Sequence, residues 1–227
     1  MHDLVAPTVL SLRIALVATL LVALIGVPLA FALARLRFPG RTLVDVMITV
    51  PLVLPPTVVG YFLIVLLGRQ SVAGHWLERL LGFTLMFNVS GAALAAAVVA
   101  LPLLYLPAKS AFANVDRELE DIARLFGANP LQIFWHVSLP LARRGIAAGL
   151  LLAFARALGE FGATVMVLGI QPQRDNPFEP GKTLPISIYV DAESGQMLRA
   201  IPAVALLVAI SMLVIFAYNR WGIRSTD

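Results

Sequence analysis

Residues 14–34 carry no charged side chain, and about 20 apolar residues are enough for an α-helix to cross the roughly 30 Å hydrocarbon layer of a bilayer. Four more stretches share this character: 46–68, 90–108, 145–168 and 200–219. The fourth holds two charges, Arg156 and Glu160. Five predicted spans fix the fold class as an all-α, polytopic transmembrane helical bundle, read as one domain over 1–227. Composition agrees, with 59% hydrophobic and 13% charged residues, against about 45–50% and about 25% in soluble domains. The first stretch is too long for a signal sequence and lacks a small-residue cleavage site, so it reads as a retained span.

The distribution of Lys and Arg predicts orientation. Arg35, Arg37, Arg41, Lys109, Arg117, Arg124, Arg143, Arg144, Arg220 and Arg224 fall in one alternating set of connections; Arg69, Arg79, Arg174, Lys182 and Arg199 fall in the other. Cytoplasmic loops carry the excess of positive charge. The expectation is therefore an external N-terminus, an internal C-terminus and a cytoplasmic segment 109–144. Trp76 and Trp221 fall near predicted interfaces, where aromatic belts form. Segment 171–199, with Pro172, Pro177, Pro180, Gly181 and Pro185, reads as an irregular outer loop or one holding a short re-entrant helix. Segment 69–89, with Trp76, Leu80, Leu81, Phe83 and Phe87, leaves an extra interfacial helix open.

Segment 109–144 is the most informative. Leu119, Ile122, Ala123 and Phe126 recur as one helical stripe, with Arg117, Glu118, Glu120, Asp121 and Arg124 on the other faces. Asp116 suits the N-cap and Gly127 the left-handed stop. Asn129 and Pro130 then restart a helix as cap and first helical residue. This second helix is expected to be short, to expose Leu131, Phe134 and Trp135, and to close at Leu139-Pro140 before the next span. From residues alone it is either a connector lying in the headgroups or a docking helix.

Two features mark the spans. Pro51, Pro55 and Pro56 remove backbone donors and strain the preceding turn, giving either a packing kink or a hinge. Arg156 and Glu160 are one helical turn apart within a predicted span, where a lone Arg costs at least about 2.5–3.5 kcal/mol. They read as a structural ion pair or as part of an anion path, with Gly159 and Gly162 allowing close helix approach or a local break. No cysteine is present, so disulfides and thiolate metal sites are excluded. The histidines His2, His75 and His136 have no ligand spacing. Gly181-Lys182-Thr183 imitates a phosphate-loop tail but lacks its upstream glycine, Asn176 standing there. The chain is expected to have no catalytic site, metal or cofactor of its own and no nucleic-acid partner.

Asp121-Ile122-Ala123, three residues, Gly127, nine residues and Val137-Ser138-Leu139-Pro140 are similar to the EAA motif of ABC importer permeases: Glu-Ala-Ala, three residues, Gly, nine residues, Ile-x-Leu-Pro. Asp for Glu, Ile for Ala and Val for Ile are the departures. Pro51-Leu52-Val53-Leu54-Pro55-Pro56-Thr57-Val58-Val59-Gly60-Tyr61 and Ala155-Arg156-Ala157-Leu158-Gly159-Glu160-Phe161-Gly162-Ala163-Thr164 resemble the molybdate-type oxyanion permeases, with tungstate and sulfate permeases as relatives. The resemblance implies a coupling helix that docks on a cytoplasmic ATPase subunit through Glu120, Asp121, Ala123, Gly127, Asn129, Pro130, Leu131, Phe134, Trp135, Leu139 and Pro140. Arg156, Gly159, Glu160, Gly162, Pro55 and Pro56 are the candidate pathway or gate residues. The resemblance also implies a second copy of the chain, an extracytoplasmic oxyanion-binding protein, ATP-Mg on the ATPase subunit, and residence in a bacterial or archaeal inner membrane. An ion-coupled secondary carrier is the alternative class; it would rely on Glu160 and leave the loop pattern without a purpose.

Overall fold

Long apolar runs with their backbone bonds satisfied internally dictate helices, and in the computed structural model, which describes residues 4–170 and 181–222, all the regular structure is helical. The helices are α1 (Val5–Arg35), α2 (Arg41–Thr49), α3 (Pro56–Leu67), α4 (Val72–Leu81), α5 (Val89–Ala113), α6 (Arg117–Leu125), α7 (Pro130–Ile133), α8 (Leu139–Leu158), α9 (Gly162–Leu168), α10 (Leu184–Glu193) and α11 (Met197–Gly222). A 3-10 turn, Val50–Leu52, follows α2, and a π-helical turn, Phe134–Ser138, joins α7 to α8.

Among the described residues, four helices are long and apolar enough to cross a membrane: Val5–Arg35, Val89–Ala113, Pro130–Leu158 and Met197–Arg220. The predicted second span, 46–68, is not one helix. Arg41–Leu52 and Pro56–Leu67 meet at a bend of 115°. The cause is local: helical geometry is disfavoured for the residue before a proline, and Pro55, which precedes Pro56, is extended while Pro56 opens the next helix. At 1.5 Å per residue the 12 residues of α3 span about 18 Å, well short of a bilayer core.

The predicted fourth span is also interrupted. The α8 helix stops at Leu158 and α9 begins at Gly162, so Glu160 lies in a break rather than on a helix face. The opposite correction applies at Leu139-Pro140, which does not close a helix: α7, the π turn and α8 run on as Pro130–Leu158. Proline inside a helix clashes with the carbonyl four residues back. Here the preceding turn is widened, with Leu139 N–H donating to the Phe134 carbonyl, and a π turn accommodates the extra backbone.

The centre of the bundle is α1, α5 and α8, packed through small side chains. Ala15, Ala18, Ala30, Ala92, Ala96, Ala100, Ala108 and Ala153 are fully buried. Without a hydrophobic force between helices in lipid, close backbone approach supplies the packing. A Cβ at Gly149 would stand 3.0 Å from both Leu104 Cδ1 and the Leu104 carbonyl oxygen, and one at Gly145 would stand 2.5 Å from Ala111 Cβ. Gly145→Ala is expected to destabilise the protein by about 1–3 kcal/mol through overpacking, and Gly149→Ala by less, as read by thermal unfolding in detergent. An unchanged melting temperature for Gly145→Ala would mean that α5 and α8 approach less closely.

Segment 69–89 does contain a helix, α4, capped by Ser71, whose side chain accepts from Gly74 N–H at 2.8 Å. Val72, Trp76 and Leu80 form an exposed stripe along it. Segment 171–199 contains α10, with Leu184 and Ile186 fully buried and Leu184 N–H donating to Ser11 Oγ of α1 at 2.8 Å. Pro172, Pro177 and Pro180, expected in an irregular loop, lie outside the described residues, as do Arg174, Arg224 and the side chain of Trp221.

Candidate functional site

Two regions hold the candidate residues: the α5–α8 connection and the pair of helix breaks. The connection follows its predicted caps closely. Asp116 accepts from Glu118 N–H at 3.0 Å at the start of α6. Gly127 has φ of +86°, and the returning bonds Gly127 N–H to Arg124 O (2.9 Å) and Ala128 N–H to Ala123 O (3.0 Å) close the helix. Asn129 and Gln132 form a reciprocal capping box, each side chain accepting from the other's backbone N–H at 2.8 Å.

The faces differ from expectation in two places. Ile122, Leu125, Phe126, Leu131 and Trp135 are exposed, Leu125 and Phe126 by almost nine-tenths. Asp121, Gly127, Asn129, Pro130 and Pro140 are exposed as well, and Ala123 and Leu139 are half-buried. Phe134, expected outside, turns in. Its ring centroid lies 4.9 Å from that of Phe31 on α1 and 6.1 Å from that of Phe112 on α5. Three aromatic rings pack better against one another than one does against water. Glu120, expected among the exposed charges, is 3% exposed. Its Oε1 accepts from Arg35 Nε (3.0 Å), Arg35 Nη2 (2.7 Å) and Ser138 Oγ (2.7 Å). Glu120 is therefore buried, and Phe134, half-buried, turns its ring toward the bundle.

Beside Glu120 opens a cavity of about 280 Å³ lined by Arg35, Arg117, Glu120, Asp121 and Arg124 among others. Arg124 contacts Asp121 and stands 3.7 Å from Glu120 Oε2. Burial of Glu120 has a weak signal in sequence: it is flanked by Leu119 and Asp121 in a helix with charges on three faces. Its partner Arg35 lies 85 residues away, beyond any periodicity.

In the second region the breaks of two helices meet. A Cβ on Gly162, at the start of α9, would stand 3.1 Å from Pro56 Cβ at the start of α3; one on Gly60 would stand 2.8 Å from Met166 Cβ and 3.0 Å from Ala163 Cα. The structure thus brings Pro56, with Thr57 beside it, against Gly162. A Cβ on Gly159 would meet only the carbonyl oxygen of Ala155, at 3.7 Å. Glu160 bridges the break: Oε1 accepts from Ala163 N–H at 2.8 Å and Oε2 contacts Arg156 Nη1. Its side chain is 1% exposed and that of Arg156 is 29% exposed. The predicted ion pair therefore exists, with the carboxylate also serving as a cap for α9.

A third polar cluster joins α2 to α5. Asp45 accepts from Lys109 Nζ at 2.5 Å and from the Tyr105 hydroxyl, with Arg41 Nε 4.0 Å away. Spacing again conceals it, since Asp45 and Lys109 are 64 residues apart. Among the described residues, no group of three or more His, Cys, Asp or Glu is arranged to hold a metal ion.

Residues 26–222 match the family model described as binding-protein-dependent transport system inner membrane component. The molybdenum transport system permease protein ModB of Escherichia coli (strain K12) is 40% identical over 210 residues, covering 90% of this chain and 89% of the relative. ModB of Haemophilus influenzae is 34% identical, covering 93% and 90%. In fold, the chain is similar to a chain of a bacterial alginate ABC transporter in complex with an alginate-bound periplasmic protein, with TM-score 0.74, 15% identity and coverage of 99% and 80%. It is also similar to a chain of the inward-facing MetNI methionine ABC transporter, with TM-score 0.65, 20% identity and coverage of 93% and 90%.

Proposed function

This chain belongs to the binding-protein-dependent transport system inner membrane component family, and from that premise we propose that it is the permease subunit of an ATP-driven ABC importer for molybdate. The observation that carries the reading is the 40% identity to a molybdenum transport permease across nine-tenths of both chains. The protein is a multi-pass component of the cell membrane of a bacterium or archaeon. It does no chemistry itself; ATP-Mg is bound and hydrolysed on cytoplasmic partner subunits, and an external binding protein delivers the anion. Tungstate and sulfate, also tetrahedral oxyanions, are the alternative cargoes.

In this reading the bent pair Arg41–Leu52 and Pro56–Leu67 counts as a fifth, broken span. The excess of Lys and Arg then places the N-terminus outside and the α5–α8 connection, 109–144, in the cytoplasm. Two copies enclose the pathway, because one chain has too few spans to surround an anion. The exposed apolar set Ile122, Leu125, Phe126, Leu131 and Trp135 supports docking: five large apolar side chains beside charged neighbours mark an interaction surface. Asp121, Gly127, Asn129 and Pro130 hold that surface in shape. Arg156, paired with Glu160, presents a partly exposed guanidinium to the path, where a charge already balanced by a carboxylate attracts an anion without retaining it.

The test is reconstitution with the cognate ATPase and binding protein in liposomes, measuring molybdate uptake with tungstate and sulfate as competitors. Leu131→Asp with Trp135→Ala is expected to weaken ATPase association on the order of 100-fold, about 2.8 kcal/mol, as loss of an aromatic anchor at an interface does. Unchanged association would remove the docking assignment. Uptake of sulfate in preference to molybdate would change the cargo and leave the rest standing.

A further inference from the structure

We propose that Arg35, Glu120 and Ser138 form a latch that fastens the docking connection to the inner end of α1, so that a stroke of the ATPase reaches α1 directly. The inference rests on the docking assignment above and adds positioning residues to it.

The geometry is unusually closed. A single carboxylate oxygen, Glu120 Oε1, receives both Arg35 donors, at 3.0 and 2.7 Å, and Ser138 Oγ at 2.7 Å. Arg35 Nη2 also donates to the carbonyl of Val115, two residues ahead of α6, at 3.2 Å. Four chain segments therefore converge on one charge pair: the last residue of α1, the entry to α6, α6 itself, and the π turn that opens α8. Glu120 is 3% exposed and the Arg35 side chain 13%. An ion pair contributes rigidity when it is buried with its hydrogen bonds satisfied; an exposed one contributes little. Directly beside it the aromatic layer repeats the same connection, with Phe31 of α1 against Phe134 (4.9 Å) and Phe112 (5.3 Å).

The opposite side of the connection is bare. Leu125, Phe126, Leu131 and Trp135 face outward. A partner pressing on them pushes against a body whose far side is bolted to α1. The continuous helix Pro130–Leu158 gives a second output, into the break that holds Glu160. Without the latch, α6 would keep its caps and its exposed face but would pivot about the Asn114–Asp116 entry. Docking would survive and force transmission would not. This separates the latch from the docking surface: the first acts through α1, the second touches the partner.

The chain has no cysteine, so paired spin labels can be placed cleanly. With Leu36→Cys and Glu118→Cys, both exposed positions, the label distance in the reconstituted complex is expected to stay constant between nucleotide-free and ATP-trapped states. With Glu120→Gln added, the distribution is expected to broaden and shift on ATP trapping. ATPase association should remain at the wild-type level, while ATP hydrolysed per molybdate imported rises about tenfold, within the range of ordinary coupling free energies. Ser138→Ala, a gentler change, should give a smaller rise in the same direction, and Glu120→Asp should restore part of the coupling. A label distance that changes with nucleotide in the otherwise wild-type protein overturns the latch. So does wild-type stoichiometry in both Glu120→Gln and Ser138→Ala. Loss of association in Leu131→Asp with Trp135→Ala, but not in Glu120→Gln, keeps the docking surface and the latch apart; an ATPase that never associates with the wild-type chain removes the docking reading instead.

Discussion

Glu160→Ala is expected to damage the protein more than the double change Arg156→Ala with Glu160→Ala. The single variant removes two interactions at once. Glu160 Oε1 caps α9 by accepting from Ala163 N–H at 2.8 Å, and Oε2 faces Arg156 Nη1. Deleting one member of a buried pair leaves an uncompensated charge and costs about 3–5 kcal/mol. Arg156 is 29% exposed, so solvent or the second copy relieves part of that, and about 3 kcal/mol is the better expectation. Losing the cap adds about 1 kcal/mol. In the double variant the stranded charge is gone, leaving the cap loss and a small cavity, about 1–3 kcal/mol together. Glu160→Gln keeps an acceptor for Ala163 but strands Arg156, so it should fall between them. Unfolding in detergent measures the order, and molybdate uptake in liposomes reads the second consequence. Equal destabilisation by single and double variants would show no coupling between the two side chains. A double variant that imports at the wild-type rate would make the pair structural only.

Legibility in the sequence divides by range. What one or two turns of chain decide was legible: Asp116 as cap, Gly127 as left-handed stop, Asn129 and Pro130 as a new start. Each of these is a bond between neighbours, so the residue type nearly determines it. The Arg156–Glu160 pair was legible for the same reason, although its setting was not. A period of 3.6 carried the helix through Gly159, whereas the cap supplied by Glu160 and the contact of Gly162 with Pro56 favour a break. Three prolines signalled a disturbance in the second span, yet their consequence, 115°, depends on where α3 finds a partner. Pro140 shows the reverse error: it usually ends a helix, but a π turn absorbs it.

What sequence hid was tertiary. Glu120 looks like one more surface charge among Glu118, Asp121 and Arg124, and only Arg35 and Ser138 reveal it as buried. Phe134 looks like a docking aromatic until Phe31 and Phe112 are beside it. The apolar stripe of α6 follows from its helical period, but nothing in that period says whether the chain itself covers it. It does not: Ile122 and Phe126 remain exposed, which is why the stripe informs function rather than stability.

Two glycines, Gly127 and Gly60, should rank Ala and Asn substitutions in opposite orders. At Gly127 an added Cβ meets nothing within 4 Å, but φ is +86°, so Gly127→Ala should cost about 1–2 kcal/mol of backbone strain. Gly127→Asn should cost less, because Asn tolerates that region. At Gly60 the backbone is helical and the obstacle is space. A Cβ there would stand 2.8 Å from Met166 Cβ, 3.0 Å from Ala163 Cα and 3.1 Å from the Ala163 carbonyl oxygen. Two of those atoms are backbone and cannot rotate away, so Gly60→Ala must push α3 off α9, at about 1–3 kcal/mol or more. The effect on import should exceed the effect on stability, because the displaced contact sets the spacing of the two broken helices. Asn at Gly60 should be worse than Ala, reversing the order at Gly127. Met166→Gly should recover only part of the loss at Gly60→Ala, since Ala163 still blocks the site. Uptake rates and melting temperatures of the four single variants and the double variant decide it; if Gly60→Ala imports normally, α3 and α9 do not move against each other as one fitted pair.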